Sequence, residues 1–240
     1  SAWARPLQVR FDNGIEATIW PPEEILRNLT VRQGEDLLLR LDAQTQYRLV
    51  TSTADPAIAN KGDGRFHPMS VSAVVEALRD IRLQGSGLEI EVYVLPFPRR
   101  EVLDSSARDR RILLSPGVLE VSDFAVHFTA THEAGHLFQY RWMPDEDAAL
   151  WGRYANLRGI ENAAVFSSAG THRNRPHEIF AEDFRYLFGG ELSGYSGSIE
   201  NEDLALPTEV PGLEEFLREL CLTQRAAAPR AALAPAPNPF

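Results

Sequence analysis

His132, Glu133 and His136 stand in the run His132-Glu133-Ala134-Gly135-His136, inside an apolar segment from Ser122 to Trp142. If that segment is helical, residues four apart share a face, and both imidazoles reach one point. Glu133 then sits about 100° around the axis, close enough to act on a water at that point. Two neutral imidazoles and a neighbouring carboxylate are what a tetrahedral zinc site with an open corner requires. The chemistry expected is hydrolysis assisted by Zn2+, with Glu133 as general base.

A hydrolytic zinc takes three protein ligands, so the pair needs a third. The metzincin continuation is missing, because Gln139 and Trp142 occupy its Gly and His places. Glu161 lies where a thermolysin-like glutamate would follow. Asp145 and Asp147 would have to bind from the very next turn, an awkward geometry. Glu178 is preferred: it shares one face of an expected helix with Ala181, Glu182 and Arg185, opposite Phe180, Phe184, Leu187 and Phe188. Carboxylates four apart repel mildly, and a nearby cation or histidine N–H would account for the pair. Glu178 would bind zinc, and Glu182 would accept the free ring N–H of His132 or His136. Ala181 between them leaves room for a second helix to approach. A solvated acidic face is the plain alternative.

The run 132–136 together with Glu178-Ile179-Phe180-Ala181-Glu182-Asp183-Phe184-Arg185 resembles the anthrax lethal factor-like metallopeptidases, a family that includes the Pro-Pro endopeptidases. The likeness covers roughly residues 70–190. It implies a zincin-like catalytic domain of the gluzincin type acting on a protein or peptide substrate, with Glu178 as third ligand and Glu182 supporting a ligand histidine. It also implies that the strand carrying Ile112, Leu113 and Leu114 is the edge that pairs with an extended substrate. The family places a tyrosine seven residues before the ligand glutamate, to steady the oxyanion. Thr171 stands there in this chain, so His172 or Tyr195 is expected to supply that donor.

The elements that must position these residues read as follows. Leu7–Phe11 and Ile15–Trp20 are strands about an Asp12-Asn13-Gly14 turn. Leu37–Leu39 and Tyr47–Val50 are further strands, with a short helix possible over Glu23–Leu29. Asp55–Pro68 is a loop, Lys61-Gly62-Asp63-Gly64 at its tip being a plain turn. A helix begins at Ser70 or Ser72 and ends by Gly85. Strands follow at Leu88–Leu95 and Arg111–Ser115. The helix of the histidines is capped by Ser122 or Asp123 and ended by Pro144. Two more run over Asp145–Arg158, closed by Gly159, and from Pro176 to Phe188. Leu213–Cys221 forms a last short helix. Gly135 costs about 1 kcal/mol against alanine in mid-helix, which a close crossing there would explain.

The fold class expected is α+β, a zincin-like domain with a β-rich N-terminal portion. Residues 1–68 form that portion, 69–222 the catalytic domain and 223–240 an Ala/Pro-rich linker. A net charge of −10 with one lysine, Lys61, and no basic cluster argues against nucleic acid. No apolar run is long enough to span a bilayer. The single cysteine, Cys221, excludes an intrachain disulfide. His127 is expected to be packed, His67 to have no catalytic part and His177 to lie on the surface. The final Pro237-Asn238-Pro239-Phe240 resembles the opening of C-terminal sorting modules in some secreted bacterial proteins, which implies export. The function expected is a secreted zinc endopeptidase. A non-catalytic zinc-binding or adhesion module and a zinc hydrolase of a non-peptide amide are the alternatives.

Overall fold

The computed structural model describes residues 5–227, and the Pro237–Phe240 motif and most of the expected linker lie outside them. Strands β1 (Leu7–Arg10) and β2 (Glu16–Trp20) form the expected hairpin. Its turn is held by Asn13, whose amide N–H groups donate to the carbonyls of Leu78 (2.8 Å) and Ile81 (3.0 Å). Leu78 lies in the last turn of helix α2 (Val71–Arg79) and Ile81 just beyond it, so the helix stops well before Gly85.

Strand β2 continues into the main sheet, pairing parallel with β6 (Glu89–Val94). Next come β8 (Arg111–Leu114), parallel to β6, and β7 (Ser106–Arg108), antiparallel to β8. The order is β1-β2-β6-β8-β7. The short β7 had no signal in the sequence, and it changes one expectation. Strand β8 has partners on both sides, with Ile112, Leu113 and Leu114 buried. The strand carrying these three residues is therefore not an edge: β6 flanks it along Arg111–Leu114 and β7 along Arg111–Leu113. The outer strand on this side of the sheet is β7.

Alternation along β6 divides the core in two. Ile90, Val92 and Val94 face α2 and helix α3 (Asp123–Trp142). Tyr93 and Leu113 face the other way, onto a second sheet of β3 (Thr30–Gln33), β4 (Asp36–Arg40) and β5 (Gln46–Leu49). The expected helix at Glu23–Leu29 is one turn, α1 (Pro22–Glu24), that widens into a π-helix over Ile25–Leu29.

Helix α3 begins where Ser122 Oγ accepts from Ala125 N, and it is followed by Met143 and Pro144. Helix α4 (Ala148–Arg158) starts later than expected because Asp147 caps it, and Gly159 closes it with φ 71°. Helix α5 (Pro176–Phe188) has its proline in the first turn, as expected. It crosses α3, while α4 is tied to it by Arg158 and Tyr154 on the buried carboxylate of Asp183. The last helix, α6 (Leu213–Ala227), runs past Cys221. The chain is thus a mixed α+β fold, and among the described residues no helix is long and apolar enough to cross a membrane.

Candidate metal centre

Helices α3 and α5 meet at Gly135 and Ala181, where neither residue has a side chain beyond Cβ to hold them apart. His132 and Glu178 lie one turn before these two residues and His136 directly after Gly135, so the crossing brings three donor atoms together. His132 Nε2 lies 3.3 Å and His136 Nε2 3.1 Å from Glu178 Oε2. Among the described residues, His132, His136 and Glu178 form the one group of three whose ligand atoms all fall within 4.8 Å of each other and could hold a metal ion. Glu161 accepts from Asn156 instead, and Asp145 pairs with His177.

The outer nitrogen of His132 donates to Glu182 Oε1 at 2.8 Å. A carboxylate can only accept, so this contact fixes Nδ1 as the protonated nitrogen; in the neutral ring that a metal ligand must be, Nε2 then has its lone pair for the ion. Glu182 is itself gripped by the fully buried guanidinium of Arg185, which donates to both its oxygens at 2.9 Å. Arg185 also donates to the carbonyls of Ser193 and Ser198 and lies 4.0 Å over the ring of Phe128. Glu133 faces the pocket from α3, buried, with Oε2 free of any hydrogen-bond partner.

Three carboxylates around two imidazoles call for positive charge. Burial would raise the pKa of Glu178, but its hydrogen bonds with His132 and His136 outweigh it and hold the carboxyl well below the usual range. Burial disfavours a charged His132, yet Glu178 and Glu182 on either side raise its pKa to about 10. Proton and metal ion compete for such a place, and the donor set of two imidazoles and one carboxylate fits a divalent cation. Burial also raises the pKa of Glu133.

The group opens on a cleft of about 990 Å³ whose wall includes Ser106, Ala107, Tyr140, His172, Arg175 and His177. No protein-family model matches the chain, and no curated protein or solved structure matches it either. What the site can do is therefore read from its own atoms.

His172, one of the two expected donors, stands at this cleft with Nε2 3.5 Å from Glu178 Oε2. Tyr195, the other, is 58% exposed and packs on Phe124. His177, expected on the surface, is only 35% exposed at its side chain, with Nε2 3.0 Å from Asp145 and its ring against Trp151. His127 is packed as expected, without a partner for either ring nitrogen. Tyr140 also borders the cleft, and its place four residues after His136, on the same face of α3, is the signal for it in the sequence. Arg99 had no signal at all. It donates from below the cleft wall to Asp104 O and Ser106 Oγ.

Proposed function

We propose that the chain is a zinc-dependent endopeptidase of zincin-like fold, with His132, His136 and Glu178 as the zinc ligands and Glu133 as general base. The observation that carries this reading is a buried carboxylate with an unpartnered oxygen, beside a three-donor group that opens on the cleft. The resemblance of the two helical motifs to the lethal factor-like peptidases supports it from the sequence. Two imidazoles and a carboxylate suit zinc. Zinc held there would acidify a water and polarise a carbonyl.

The chain's own groups do the rest. Glu133 takes a proton on its free oxygen and returns it to the departing amine, and burial brings its basicity nearer to the working pH. His172 turns Nε2 toward the region where charge develops on the carbonyl oxygen. An extended peptide finds its backbone partners on β7. Arg108 and Arg111 flank the two-residue turn Asp109-Arg110, with φ 57° at Asp109. Such a closing pair exchanges hydrogen bonds, and alternation then leaves the N–H and C=O of Ala107 facing away from β8.

The test is zinc content of the purified chain followed by incubation with a mixed peptide library. Full zinc loading with internal peptide bonds cleaved, and both lost on chelation, is the expected result. Full loading with no peptide cleaved but small amides turned over would replace the peptidase reading by the non-peptide one. Full loading with neither would leave a binding module.

A further inference from the structure

His172 has a second neighbour that nothing in the sequence announced. Its Nδ1 lies 2.9 and 3.1 Å from the two carboxylate oxygens of Glu200, 28 residues further along the chain. The backbone N–H of the same Glu200 donates to Glu182 Oε2 at 2.9 Å. Two residues before it, the carbonyl of Ser198 accepts from Arg185 at 2.8 Å. The strand of chain carrying Glu200 is therefore pinned to α5 by the same Glu182–Arg185 pair that orients His132. Its carboxylate is delivered to His172 from a fixed anchor, and both side chains border the cleft.

We infer that Glu200 is the positioning residue of His172, and that its seat on Glu182 sets where the His172 ring stands relative to the zinc ligands; the inference rests on the endopeptidase reading. The physical ground is simple. His172 sits in a short 3-10 turn, 56% exposed at its side chain, and packing alone does not restrain its ring. A carboxylate that accepts from Nδ1–H selects one orientation of the ring and aims Nε2 at the cleft, where it donates when the ring carries both protons. The Glu200 carboxylate is hydrogen-bonded to His172 and not to His132, His136 or Glu178, so it acts through His172.

The experiment is a double-mutant cycle with Glu200→Ala and His172→Phe in the zinc-loaded chain, reading kcat, KM and zinc affinity by chelator competition. Each single variant is expected to lose roughly 10- to 100-fold in kcat, the range of such supporting contacts. KM and zinc affinity should stay within about twofold, and the double variant should be no worse than His172→Phe. Losses that multiply in the double variant would overturn the inference. So would a tenfold drop in zinc affinity for His172→Phe, which would make His172 a ligand. If the wild type cleaves no peptide, the endopeptidase reading fails on its own, and the ring nitrogens of His172 still answer the question by NMR. Glu200→Ala should abolish the Nδ1 hydrogen-bond signature, and Glu200→Gln, which keeps an acceptor oxygen, should retain it. Identical spectra in all three proteins would sink the inference.

Discussion

A Cβ added to Gly135 would stand 3.0 Å from both the Cα and the carbonyl oxygen of Ala181. Both are backbone atoms, so the neighbour cannot swing aside as a long side chain would. The spacing of α3 and α5, and with it the convergence of His132 and His136 on Glu178, depends on this contact. Gly135→Ala gains about 1 kcal/mol of helix propensity, but overpacking a tight core costs roughly 1–3 kcal/mol. The expected outcome is a net loss of up to about 2 kcal/mol in urea unfolding, together with weaker zinc binding. A variant that is more stable and binds zinc as before would show that the crossing is not what positions the ligands.

Glu133 lines the cleft without donating any atom to the three-ligand group. Glu133→Gln keeps its size and removes its basicity. Peptide cleavage should fall by about 10²- to 10⁴-fold, the usual worth of a general base, while chelator competition returns a zinc affinity within a few-fold of wild type. Equal loss of zinc and activity would move Glu133 into the ligand set.

The outer edge of β7 is where an extended substrate would find backbone partners. Ala107→Pro deletes an outward N–H at a place where an edge strand tolerates proline. With short peptides kcat/KM should drop about tenfold, mainly through KM, at unchanged zinc content. A matched loss from Leu113→Ala without unfolding would instead favour β8, against its buried position between β6 and β7.

Acid should act on Glu182. Burial alone would raise its pKa, but hydrogen bonds from Arg185 and His132 prevail and hold it at about 2, below the ordinary 4.5. The folded state thus binds this proton less readily than the unfolded chain. The stabilisation is complete above pH 4.5 and is lost as pH falls toward about 2. A difference of this size is on the order of 3 kcal/mol for a buried group. In chelator, unfolding free energy should decline through that window, with Glu178 adding its own share. The curve for Glu182→Gln should be flatter there. Parallel curves would mean that Arg185 does not discriminate between the charged and neutral carboxyl.

Much of the site was legible in the chain because its logic is local. The 3.6-residue period places His132 with His136, and Glu178 with Ala181 and Glu182. Ser122 caps one helix and Pro176 opens the other by chemistry confined to a single turn. Even Gly135 announced a crossing, since a mid-helix glycine needs a reason. What only the tertiary structure decided is which groups meet from afar. No period in Arg111–Leu114 tells a central strand from an edge one; that depended on three residues of β7 folding back beside it. Glu200 reaches His172, and Arg185 reaches Ser193 and Ser198, through a loop whose path is set by hydrogen bonds to the core. Side-chain type and spacing determine a helix face, whereas strand order and loop course follow from which backbone groups remain unsatisfied once the layers have packed.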